Sequence, residues 1–157
     1  MSPLQIADAL RHIVRHPVAK YYKYAVIQYD AVSATAKAYI SDLRKTSKYE
    51  IHSIIGSAHY LLDLTSYVAA LMHLNEGESA VTSAFTNNIL GTIPQGTEIQ
   101  IKATIISAKT PGIILISAEI THNGKQLAMA TITKNVISET TTIPSGVDTF
   151  SPSPMSK

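Results

Sequence analysis

The 18-residue stretch Ser57–Leu74 holds 12 apolar side chains and one formal charge, that of Asp63. Gly56 precedes it and Asn75–Glu76–Gly77 follows, so boundary signals bracket one long helix over 57–74. Its apolar residues do not keep to a single stripe. A helix that is hydrophobic nearly all round has to be wrapped by other elements, because an amphipathic one suffices to lie on a surface. The segment is long enough to raise a membrane span. His59, Asp63 and His73 within it, with no basic flanks, point instead to burial inside protein.

The flanking sequence supplies the wrapping as strand. Tyr24–Ala31 and Ser33–Ile40 read as two strands, with Tyr24, Val26 and Gln28 alternating against Ala25, Ile27 and Tyr29. Downstream, Ala80–Leu90, Thr97–Ala108, Ile113–Thr121 and Gln126–Ile137 are rich in Ile, Thr and Val. Ile99, Ile101, Ala103 and Ile105 alternate with Gln100, Lys102 and Thr104, the pattern of a sheet with one face covered. Pro94–Gln95–Gly96 and Pro111–Gly112 mark turns, and Asn123–Gly124 marks a two-residue type I′ hairpin. At the start, Ser2 and Pro3 open an amphipathic helix over 2–16, which Pro17 ends. A polar connection from Ser41 to Glu50 leads to the long helix. From Ser138 on, 12 of 20 residues are Ser, Thr or Pro, a tail over 138–157. The rest, 1–137, makes one domain. The predicted class is α+β, with five or six antiparallel strands wrapped around one long central helix.

Composition narrows the function classes. Charged residues are 15% of the chain and the net charge is +2, where a soluble domain carries about 25% charge. That excludes a disordered polyelectrolyte and a nucleic-acid binder relying on a dense basic stripe. Low charge, with sheet edges and one sheet face uncovered, points to pairing with another copy. A homodimer that extends the sheet by strand pairing is expected, or a dimer of dimers, or a hetero-assembly with a related chain. The chain has no cysteine, which removes disulfides, thiolate zinc sites and a Cys nucleophile together. The histidines show no metal-ligand spacing with acids. Neither a phosphate-binding glycine loop nor a Gly-x-Ser-x-Gly elbow occurs. No metal and no cofactor are expected. The acid-poor N-terminal segment, with Arg11, Arg15, Lys20 and Lys23, has the character of a mitochondrial presequence or of an ordinary surface helix, and lacks a secretory core. A cytoplasmic or mitochondrial protein is expected, not a secreted one.

Asp63 is the residue on which chemistry converges. It is either a buried acid satisfied by a local hydrogen-bond network, with His59 one turn before it, or a general base or nucleophile. Around it, the element order and several strings resemble the hotdog-fold acyl-CoA thioesterases of the phenylacetate-pathway type, from about Tyr24 to Ile137. In that family a His-Gly-Gly turn opens the central helix and an acid follows seven positions after the second Gly. Gly56 and Asp63 match that spacing. Ala80–Val81–Thr82–Ser83, Pro94–Gln95–Gly96–Thr97–Glu98 and Asn123–Gly124–Lys125 match its strand and turn layout. Three positions depart from the pattern. Ile54–Ile55 replace His-Gly, His52 is two residues out of register, and an upstream Asn falls near Lys48.

The resemblance implies hydrolysis of an acyl-CoA thioester, with coenzyme A entering only as part of the substrate. Asp63 would attack or activate water. Backbone amides of Gly56, Ser57 and Ala58 at the helix start would hold the developing oxyanion. Thr82 or Ser83 would supply the hydroxyl that relatives often carry, and His59, Ile54 and Ile55 would line the substrate. In hotdog dimers the acid and the helix start usually come from different subunits. Coenzyme A phosphates would meet scattered cations such as Lys102, Lys109, Lys125 or Lys134. The alternative is an inactive hotdog protein serving as a binding or scaffold subunit. A hydratase on the same fold is a third option without the Asp/His spacing of such enzymes.

Overall fold

A computed structural model describes residues 1–40, 50–109 and 112–138. The connection over 41–49, residues 110–111 and the tail from 139 lie outside the described residues. Ser2 caps helix α1 (Pro3–Arg15) in a reciprocal box with Gln5. Pro17 does end α1, but it also starts a second short helix, α2 (Pro17–Tyr21), because its missing N–H costs nothing at a first helical position. Strands β1 (Ala25–Tyr29) and β2 (Ser33–Ile40) follow. Asp30 ties their turn by accepting from the Val32 and Ser33 amides at 2.7 and 2.8 Å.

The central helix α3 runs over Glu50–Ala70 and closes in a 3-10 turn, Leu71–His73. It starts earlier than the sequence reading placed it, so Gly56 lies inside it and not at its boundary. One interior glycine costs about 1 kcal/mol of helix propensity, too little to stop a helix with this much apolar surface. Then come β3 (Glu78–Ile89), β4 (Thr97–Lys109), β5 (Ile113–His122) and β6 (Lys125–Ser138). All six strands form one antiparallel sheet in the order β1-β2-β4-β5-β6-β3. No helix among the described residues is long and apolar enough to cross a membrane.

Cross-strand register explains how the sheet seats α3. Ala34, Ala103, Ala118 and Ala130 line up across β2, β4, β5 and β6 on the covered face. Isoleucine-rich rows flank them: Ile101 beside Ile120 on one side, Ile105 with Ile116 and Ile132 on the other. Low and high rows alternate, so helix and sheet interdigitate. α3 turns Ala58, Leu61, Leu62, Thr65, Val68 and Ala69 into this surface, all fully buried. The wrapping is one-sided, however. His59, Tyr60, Asp63, Leu64 and Tyr67 form a second stripe of α3 that stays wholly or partly exposed. Among the described residues, the sheet covers one flank of the central helix and leaves the other open.

Polar atoms within the buried stripe are paired. Thr65 donates to the Leu61 carbonyl at 2.8 Å, and its hydroxyl lies 3.1 Å from that of Tyr24. Burial pushes the Tyr24 phenol well above its usual value of 10.0, partly offset by the Thr65 hydrogen bond. The unfolded chain therefore ionises first as pH rises through about 10. Tyr24 contributes full stability below that value and loses it above. In Tyr24→Phe, with Tyr60 unchanged, the stability advantage of the wild type measured by urea unfolding should shrink by up to ~1.4 kcal/mol per pH unit above pH ~10.

Candidate active site

The open stripe of α3 runs beside β3 and β6, and side chains from all three meet at Asp63. Asp63 Oδ1 accepts from the Thr82 hydroxyl at 2.6 Å and from Lys134 Nζ at 2.9 Å. Lys134 also donates to Thr82 Oγ1 at 2.8 Å, closing a triangle. Thr82 and Lys134 are direct register partners on β3 and β6, which brings them together across 52 residues of chain. Tyr67, one turn after Asp63, stands with its ring centre 5.8 Å from Lys134 Nζ. His59, one turn before, stacks on Phe85 at 3.7 Å between ring centres.

Burial is uneven within the triangle. The Lys134 side chain is 2% exposed and that of Asp63 38%. Burial pulls the Lys134 ammonium below its ordinary value, and the Asp63 carboxylate opposes that pull. Lys134 belongs to the inward series Ala128, Ala130, Ile132, Lys134 of β6. Sequence reasoning placed it among solvated lysines available to coenzyme A phosphates. That is corrected: a cation so buried, already committed to Asp63, cannot reach a phosphate. Its parity with Ile132 was the signal that could have found it.

Of the sequence candidates, the structure unites Asp63 and Thr82. A β-bulge decides between Thr82 and Ser83. One extra residue sits between Thr82, opposite Lys134, and Ala84, opposite Thr133. Ser83 is that residue, and its hydroxyl turns to the Thr133 carbonyl at 3.3 Å and Asn135 Oδ1 at 3.2 Å, away from Asp63. Gly56, Ser57 and Ala58 are not at a helix start, which is a second correction: α3 begins at Glu50, so their amides belong to the internal i→i−4 ladder. The Ser57 hydroxyl lies 2.6 Å from that of Tyr22. His59 keeps to Phe85. The side chains of Ile54 and Ile55 lie outside the described residues. Among the described residues, no three His, Asp or Glu side chains cluster as a metal site would need.

No protein-family model and no curated protein sequence matches the chain. Solved structures do. A thioesterase from Haemophilus influenzae superposes with a TM-score of 0.67 at 17% identity, over 85% of this chain and 91% of the other. The chain has the hotdog fold. Two further hotdog relatives in structure widen the picture. The PaaI protein from the phenylacetic acid degradation operon of E. coli gives 0.67 at 20% identity, over 84% and 95% of the two chains. A Streptococcus mutans protein bound to acetyl CoA gives 0.62 at 18% identity, over 73% and 89%.

Removing one member of the ion pair tests how the site is held. Asp63→Asn leaves the Lys134 charge buried without its counter-charge, and breaking a buried pair costs about 3–5 kcal/mol. Asp63 is half-open to water, so a loss of about 2–3 kcal/mol is expected. Asp63→Asn with Lys134→Met should recover most of it, read as coupling in a double-mutant cycle by thermal or urea unfolding.

Proposed function

We propose that this chain hydrolyses acyl-CoA thioesters as a homodimer, with Asp63 as the carboxylate that attacks the thioester carbon or activates the attacking water. The observation that carries the reading is the setting of Asp63. It is a half-exposed acid on the open stripe of α3, with both contacts on Oδ1, and Oδ2 takes no hydrogen bond among the described residues. A general base or nucleophile needs that combination of fixed geometry and access. Structural likeness to thioesterases, and to a protein bound to acetyl CoA, supports a coenzyme A thioester as substrate class.

The carbonyl oxygen also needs donors. Within one chain, the first turn of α3 begins at Glu50, about 20 Å along the axis from Asp63. A second copy placed across the open stripe would bring its own helix start to Asp63. The exposed edge of β3, with Val81 and Ile89 on it, supports strand pairing as the contact. The scaffold reading rests on a different observation. Ile54–Ile55 stand where the family carries His-Gly, and the Gly56–Ala58 amides are consumed within α3.

Steady-state assays with acyl-CoA esters from short to long chain separate the two readings. Hydrolysis by the wild type, with kcat lowered about 10²–10⁴-fold in both Asp63→Asn and the Asp63→Asn/Lys134→Met double variant and KM changed far less, supports the enzyme. A wild type inert on every ester establishes the scaffold. Sedimentation at micromolar concentration should give a dimer or larger, and a monomer would remove the source of the oxyanion donors.

A further inference from the structure

We propose that Lys134 is a positioning residue for the hydrolytic step: from the inner face of the sheet it grips Asp63 Oδ1 and Thr82 Oγ1 and thereby holds the Asp63 side chain in the one rotamer that turns its open oxygen to a substrate. The inference rests on the hydrolytic reading and adds a residue to it. Folding alone does not call for a charge here. Lys134 follows Ala128, Ala130 and Ile132 on the inward face of β6, and its register partner on β5 is Ile114. At such a position a hydrophobic residue of similar volume is often neutral or stabilising relative to a buried ion pair.

The geometry shows what the charge does. Two of the three ammonium protons go to Asp63 and Thr82, and the Tyr67 ring stands close to the same nitrogen. Thr82 donates its hydroxyl hydrogen bond to Asp63 Oδ1. Two donors on one oxygen hold the Asp63 side chain in one rotamer about Cα–Cβ and leave Oδ2 open. The groups around Lys134 are Asp63 and Tyr67 from α3, Thr82 from β3 and apolar Ile114 from β5. Among the described residues, no second acid is paired with it. Loss of the Lys134 proton would break the grip at alkaline pH, and burial brings that loss below the ordinary lysine value.

The test uses the full chain with Lys134→Met and Lys134→Arg. Folding is checked by circular dichroism, and the Asp63 side-chain rotamer is read from NMR Hα–Hβ couplings. The wild type should show one rotamer and Lys134→Met an average. kcat in Lys134→Met should fall about 10²-fold, the scale of a misplaced reacting group, with KM nearly unchanged. Lys134→Arg should restore the rotamer and most of kcat. The wild type should show an alkaline decline of kcat, and Lys134→Arg should abolish it, because a guanidinium does not titrate there. A folded Lys134→Met with the wild-type Asp63 rotamer overturns the proposal. A wild type without turnover, whose Asp63 rotamer is nonetheless released by Lys134→Met, overturns hydrolysis and leaves the grip standing.

Discussion

Seating α3 on the inner face of the sheet takes Leu61, Leu62, Val68 and Leu71 out of water, at about 1.5–3 kcal/mol for each such side chain. That contact decides where the other elements can go. The strands must present a row of alanines low enough to admit a helix backbone, with isoleucines on either side to fill the flanks. α1 and α2 then close one end of the core, where Ala19 is buried and Ile13 and Val14 pack against it. The same contact dictates what is left over. A sheet can cover only one flank of a helix, so the opposite flank needs residues that tolerate water, and His59, Tyr60, Asp63 and Tyr67 occupy it.

Much of this was legible in the sequence because strand alternation is a strong signal. Ile99 to Ile105 and Ser33 to Ile40 could be placed nearly to the residue, and a long helix around Asp63 was unmistakable from apolar density alone. The helix start was misjudged because a glycine was read as punctuation when packing overrides its modest cost. Lys134 was misjudged for the opposite reason: lysine in a strand is ordinarily solvated, and composition outweighed the parity that put it beside Ile132. No local pattern could reveal its partnership with Asp63, since the pair is created by sheet register and by the placement of a distant helix.

The triangle of Asp63, Thr82 and Lys134 joins α3 and β3 to β6, whose lysine lies 71 residues along the chain from Asp63. Each is costly or purposeless alone. A lysine inside the sheet needs a counter-charge, and that counter-charge arrives only when α3 has docked. The site therefore exists only where α3 is docked on the sheet, and its integrity reports on that docking.

The bulge at Ser83 reaches further than choosing between two hydroxyls. In a regular strand, the side of β3 that carries Thr82 would go on to Ala84 and Thr86. The inserted residue reverses the phase, so Phe85 and Asn87 share the helix side with Thr82. Two half-strands of opposite parity thus serve one helix, the first meeting Asp63 and the second meeting His59. Any ungapped alignment drawn through this strand would pair the wrong side chains on one side of the bulge. Homologues that lack the extra residue would then look as if they had lost the hydroxyl, when they only count to it differently.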